Sequence, residues 1–227
     1  MSKVAASLMC GDMLKIGKEL SKLETAGCDL LHLDVMDGIF VDNMALGPEW
    51  IESIHKATTI PLDIHLATIT PEKYIDMFSF TKPEFLTFHV ETAENIPAVI
   101  KKIRELDIKP SIALNPETPI EEIIPYLELV DMVVVMTVHT GFAGQEFITE
   151  TIEKIQQLKK LISELERPPL IEVDGNIKSE TISWMKGALP DVYVLGTSAL
   201  FHHRDEKDYV QRISSIREHI DELSQEK

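Results

Sequence analysis

"LLHLDVMDGIF", residues 30–40, sets a histidine and two aspartates inside an apolar run. Leaving a buried polar group unpaired costs on the order of a few kcal/mol, and a charge costs more. His32, Asp34 and Asp37 therefore each need a partner. Side chains alternate along a strand, so His32, Asp34 and Met36 share one face while Leu33 and Val35 share the other. A strand apolar on one side and ligand-bearing on the other suits the wall of a closed barrel, whose inner face looks into the lumen. Asp37 has the opposite parity and precedes Gly38, which makes it a turn or helix-capping residue.

Outward from this stretch, short β-branched runs alternate with helical patterns along the whole chain. The spacing predicts strands over 4–9, 30–35, 61–67, 84–90, 109–115, 132–138, 169–174 and 192–198. Helices are predicted over 12–27, 48–58, 71–80, 96–106, 119–130, 148–166, 178–189 and 205–223, several opening with Pro or an acidic residue. Strand and helix alternating eight times imply parallel strands with helices outside. Eight such units in 227 residues predict an α/β fold, a single (β/α)8 TIM barrel occupying 1–227 as one domain. A doubly wound open sheet is the rival, but it leaves two strands spare and lacks G-x-G-x-x-G after the first strand. The tail "SQEK" (224–227) is expected to fray.

The formal charge of −16 argues against nucleic acid or an anionic membrane as partner, since both need a basic surface. A phosphate-bearing substrate must then be held by backbone N–H groups or a metal. Cys10 and Cys28 make no disulfide framework, and neither a signal peptide nor a spanning segment is apparent. A cytoplasmic location is expected.

In this fold the active site lies at the C-terminal ends of the strands. Those ends carry Ser7 and Met9, then His32, Asp34 and Met36, then His65, followed by His89, Asn115, Met136, Asp174 and Gly196–Ser198. A lone histidine in such a place is commonly a hydrogen-bonded core residue. His32, Asp34, His65 and Asp174 converging at one barrel mouth instead suggest one divalent metal ion, with Zn, Fe, Mn or Co suiting nitrogen and carboxylate donors. Three glycine-bearing loops follow strands 6 to 8: Gly141, Phe142, Ala143 and Gly144; Gly175 and Asn176; Gly196, Thr197 and Ser198. Glycine lets the backbone approach an oxyanion, so these loops are candidate phosphate contacts. His55 and His89 are read as structural, and His202–His203 as a solvated loop.

The runs "HLDVMDGIFVDNMALGP", "DIHL", "VVVMTVHTGFAGQEFI", "IEVDGNI" and "VLGTSALF" resemble the signature of the ribulose-phosphate 3-epimerase family, from Ser7 to about Phe201. The resemblance implies a metal-dependent isomerase that inverts C3 of a ketose phosphate through an enediolate. It gives His32, Asp34, His65 and Asp174 as metal ligands and Asp34 and Asp174 as the catalytic acid/base pair. Ser7 and His65 become substrate contacts, Met9, Met36 and Met136 line the site as thioethers, and the three loops hold phosphate. A homodimer or homohexamer is implied. The motifs resemble most the D-allulose-6-phosphate branch, so D-allulose 6-phosphate (to D-fructose 6-phosphate) is the first substrate expected. D-ribulose 5-phosphate (to D-xylulose 5-phosphate) is the alternative.

The chain departs from the family pattern at Asp42, Ala67, His139–Thr140 and Asn176. Ala67 for the usual methionine is expected to widen the pocket, which favours the six-carbon sugar. Two other classes compete. A lyase or decarboxylase on a related barrel would add a lysine beside the aspartates, and the mouth positions hold none. A non-catalytic sugar-phosphate-binding barrel would have little need of both Asp34 and Asp174.

Overall fold

The computed structural model describes residues 2–202 and 208–226. Its eight strands are β1 (Lys3–Ser7), β2 (Leu30–Met36), β3 (Leu62–Ala67), β4 (Phe85–His89), β5 (Lys109–Leu114), β6 (Met132–Met136), β7 (Leu170–Asp174) and β8 (Val192–Leu195). They pair in parallel and in chain order, and β8 pairs with β1 to close the barrel. The helices are α1 (Ile16–Thr25), α2 (Pro48–Ala57), α3 (Pro71–Phe78), α4 (Ile96–Glu105), α5 (Thr151–Ile162), α6 (Ser179–Trp184) and α7 (Tyr209–Gln225). Among the described residues no helix is long and apolar enough to cross a membrane.

The period-2 pattern divides the core in two. Leu31, Leu33 and Val35 of β2 join the larger cluster between the barrel and its helices. Ala5, Leu30, Phe85, Ala113, Met132, Val134, Met136, Val192 and Val194 form a separate cluster. All of these share the parity of His32 and Asp34, so they face the lumen. Asp63, Thr87, Ser111 and Glu172 are lumen residues of the same parity and are fully buried. Asp37 ends β2 as expected: its Oδ1 accepts from the N–H groups of Ile39 and Phe40, and Oδ2 from Ile69 N.

Four expectations change. The stretch 119–130 makes no α-helix but two 3₁₀ turns, Ile120–Glu122 and Ile124–Tyr126. Pro125 lacks an N–H and its ring collides with the preceding turn, yet Ile120, Ile123 and Leu127 still pack onto the outer core. Met9 lies not in β1 but in a 3₁₀ turn, Leu8–Cys10. Ser224 and Gln225 of the tail continue α7. His202 is half-buried, and its carbonyl accepts from Arg212 Nη1. His203, residues 205–207 of the last predicted helix and Lys227 lie outside the described residues.

Two consequences for stability follow. Gly175 has φ +126°, and a Cβ there would lie 2.6 Å from Val138 Cγ2 and 2.8 Å from Val138 N. Gly175→Ala is expected to lower the unfolding free energy by about 2–5 kcal/mol, combining overpacking with backbone strain. Adding Val138→Ala should recover only part, since the backbone contact remains. Urea denaturation measures both; an unchanged midpoint would show that the loop relaxes freely.

The second consequence concerns pH. Burial, reinforced by the Asp63 carboxylate, pushes the Glu172 carboxyl up from 4.5 to about 8. The folded chain then holds a proton that the unfolded chain has released. This contribution is fully present below about pH 4.5 and is lost as pH rises through about 8. Metal-free protein in a chelator should lose stability across that window, at up to about 1.4 kcal/mol per pH unit. Glu172→Gln should lose distinctly less. Parallel stability–pH curves for the two proteins would remove the assignment.

Candidate active site

β2, β3 and β7 deliver the central groups on rigid backbone. His32 Nδ1 lies 2.6 Å from Asp63 Oδ2, so the neutral ring donates its proton there and leaves a lone pair on Nε2. That Nε2 is buried with no hydrogen-bond partner, 3.4 Å from Asp34 Oδ1 and 3.7 Å from Asp174 Oδ2. His65 Nδ1 stands 3.2 Å from Asp34 Oδ1. One ligating atom from each of His32, Asp34, His65 and Asp174 lies within 4.8 Å of the others.

A lone pair aimed at two carboxylates is repulsive unless a proton or cation lies between them. The same field acts on His32: burial disfavours its charged form, but the carboxylates of Asp34 and Asp63 outweigh that and raise its pKa. Two nitrogen and two oxygen donors around an orphaned buried nitrogen form a group able to hold a divalent metal ion. A second group, His32, Asp63 and Glu172, lies beside it. It would need the His32 nitrogen already committed to Asp63, and neither carboxylate reaches the pocket. The first group is therefore the better metal site.

The two pocket carboxylates are driven apart. Burial would raise Asp34, but the neighbouring His32, drawn towards its charged form, overcomes it and holds Asp34 far below the usual range. Burial raises Asp174; His32 opposes this, and the Asp34 carboxylate reinforces it. One carboxylate is thus held ionised while its partner is biased towards the protonated form.

A third histidine belongs to the same array. His89 Nε2 is 2.9 Å from His65 Nε2, with the two rings stacked 5.0 Å apart. Its Nδ1 is 3.1 Å from Glu91 Oε2. Burial lowers His89 to about 4, and bonds to His89 overcome burial to hold Glu91 at about 2. Sequence reading set His89 aside as structural and missed Asp63, Glu172 and Glu91. The signal was present: Asp63, His89 and Glu172 have lumen parity, in D-x-H at 63–65 and E-x-D at 172–174. His55, by contrast, is exposed on α2.

Above this floor opens a pocket. It is lined by Ser7, Met9, Asp34, Met36, Met136, Gly141 to Gly144, Asp174 to Asn176 and Gly196 to Ser198; His32 and His65 are fully buried beneath it and do not line it, so the direct substrate contact expected of His65 is not seen. The sequence-predicted residues thus come together, and Cys10, Gln145 and Val194 join them. The Ser7 hydroxyl donates to Asp34 Oδ2 at 3.3 Å. The loops are cross-tied: Asn176 Nδ2 donates to Gln145 O at 2.7 Å, and Asn43 Nδ2 to Gly141 O at 2.7 Å. His139 and Thr140 reach the rim, where His139 pairs with Glu117 and Thr140 Oγ1 donates to Asn115 Oδ1. Ala67 is fully buried beside Met36 and does not line the pocket, so the extra room expected there is not at its wall.

Comparison with known proteins gives the family. The Ribulose-phosphate 3 epimerase family matches residues 3–201. Ribulose-phosphate 3-epimerase of Bacillus subtilis is 36% identical over 94% of this chain and 98% of its own length. The Chlamydia trachomatis protein of the same name is 36% identical over 92% of this chain and 90% of its own. Among solved structures, 3-keto-L-gulonate-6-phosphate decarboxylase from Vibrio cholerae superposes with a TM-score of 0.70 at 12% identity, covering 98% of each chain, a likeness of fold alone. With a family match across most of its length and a His/Asp group at the barrel mouth, the chain belongs to the ribulose-phosphate 3-epimerase family of isomerases.

Proposed function

We propose that the pocket interconverts D-ribulose 5-phosphate and D-xylulose 5-phosphate, with Asp34 and Asp174 as acid and base. The observation that carries this reading is geometric: Asp34 on β2 and Asp174 on β7 line the same pocket, 3.4 and 3.7 Å from His32 Nε2. Inverting a carbon centre needs removal of a proton from one face and delivery to the other. The two carboxylates must start in opposite protonation states: one takes the C3 proton and the other returns a proton to the opposite face, so their states exchange with each turnover. His32, Asp34, His65 and Asp174 would hold one divalent ion, Zn, Fe, Mn or Co. Such an ion supplies polarisation of the carbonyl, which makes the adjacent C–H acidic. Met9, Met36 and Met136 offer no competing acid, and Ser7 steadies Asp34. Backbone N–H groups of Gly141 to Gly144, Gly175, Asn176 and Gly196 to Ser198 would bind the phosphate.

The named relatives support the pentulose and reverse the substrate order expected from the motifs. The hexulose phosphate stays as a second reading because His139 and Thr140 alter the rim. No lysine lines the pocket among the described residues, which tells against a lyase. A cytoplasmic enzyme is supported by two free cysteines. Leu14, Ile39, Met44 and Phe142 are exposed on the loops after β1, β2 and β6, which supports a homodimer or homohexamer that covers them.

Incubation in deuterated water with each ketose phosphate tests the reading by exchange at C3. A higher kcat/KM is expected for the pentulose; preference for D-allulose 6-phosphate would restore the other order, and no exchange with either would end both. Asp34→Asn and Asp174→Asn should each lower kcat by about 10²–10⁴-fold with the fold intact. Chelation should abolish exchange, and one of the four metals should restore it.

A further inference from the structure

We propose that Glu91 and His89 are positioning residues that set the tautomer of His65, so that His65 turns a lone pair rather than a proton towards Asp34 and Asp174. The inference rests on His65 being a metal ligand, and it goes beyond that by naming what makes it one.

A neutral imidazole carries one N–H, so of the facing His65 and His89 Nε2 atoms, 2.9 Å apart, one must donate and the other accept. Glu91 decides which. Its Oε1 accepts from Asn115 N at 2.8 Å and from the Thr118 hydroxyl, while Oε2 faces His89 Nδ1 at 3.1 Å. Two donors at Oε1 and a side chain partly open to solvent keep Glu91 a carboxylate, and a carboxylate only accepts. His89 therefore carries its proton on Nδ1 and accepts at Nε2. His65 must then carry its proton on Nε2, which leaves Nδ1 a free lone pair 3.2 Å from Asp34 Oδ1.

Left alone, His65 would do the opposite, because an Nδ1–H pointed at Asp34 is a good hydrogen bond. The relay from Glu91 works against that choice. Packing keeps the rings from escaping it: the Phe40 ring lies 4.8 Å from His89, the His65 ring stacks on His89 at 5.0 Å, and Thr92 holds the His89 carbonyl through N–H and hydroxyl. Replacing Glu91 by Gln breaks the logic. The amide NH₂ must face either the Asn115 and Thr118 donors or His89 Nδ1. The second arrangement keeps the other bonds and makes Nδ1 an acceptor, which reverses both imidazoles.

Nitrogen-15 NMR of the histidine rings in the metal-free wild type reads the tautomers directly. His89 is expected as Nδ1–H and His65 as Nε2–H; the opposite pair would overturn the proposal without any variant. Glu91→Gln should move the His65 proton to Nδ1 and weaken Zn²⁺ binding, by titration of the metal-free protein, about 10–100-fold. An unchanged tautomer and unchanged zinc affinity in a folded Glu91→Gln would also overturn it. If the wild type binds no zinc at all, the metal reading fails while the tautomer result still stands or falls alone.

Discussion

The charge balance inside the barrel is what the rest of this molecule depends on. Asp34, Asp63, Glu172 and Asp174 share a lumen with His32, His65 and His89, and the first three carboxylates are buried. Isolated carboxylates cannot stay ionised in such surroundings. The chain meets the problem in three ways. Asp34 and Asp63 are set against imidazoles, Glu172 is driven towards its neutral form, and Asp174 is left at the pocket floor with 18% of its side chain exposed. The unpartnered Nε2 of His32 marks the place where the balance is incomplete without a cation.

That balance explains why the site is built on strands. Ligand atoms kept within 4.8 Å must not drift, and adjacent strands of a closed barrel have no freedom to slide. Pairing of Asp34 with His65 and of Met136 with Asp174 in the strand register fixes the relative height of the groups. The apolar lumen cluster, from Phe85 and Met132 round to Val194, fills the remaining interior and keeps water from screening the charges. The loops, proposed to hold the phosphate, are tied by side chains. Asn43 and Asn176 each clamp a carbonyl of the segment after β6.

Alternation made most of this legible. Because parity alone separates Leu33 from Asp34, the lumen face could be read before any coordinates, and the eight strands with it. Glycine positions pointed to the loops because Gly175 sits where no side chain fits. What escaped was of two kinds. Pro125 outweighed the apolar spacing of 119–130, since burial of Ile120, Ile123 and Leu127 does not require a helix. Asp63, Glu172, His89 and Glu91 act through other side chains rather than on the pocket. Parity marks such residues as inward-facing but does not say what they touch. Ala67 fails for the same reason: a smaller side chain predicts space, and the register places that space beside Met36 rather than at the wall.

The two histidines of the candidate metal group show how one requirement is met by two routes. His32 points Nε2 into the site, so its Nδ1 faces the barrel interior, where Asp63 accepts the proton directly at 2.6 Å. His65 points Nδ1 inward and its Nε2 faces His89, the lumen residue of β4 that follows Thr87, the register partner of His65. A carboxylate placed there would be another buried negative charge beside Asp34. A neutral histidine carries the same instruction outward to Glu91, which is 22% exposed and held by Asn115 and Thr118. The relay thus orients the second imidazole while keeping its anchoring charge at the edge of the protein, where hydration is available. A barrel already holding four carboxylates in its lumen could not have placed a fifth beside them without raising the pKa of Asp34, the group that the chemistry needs ionised.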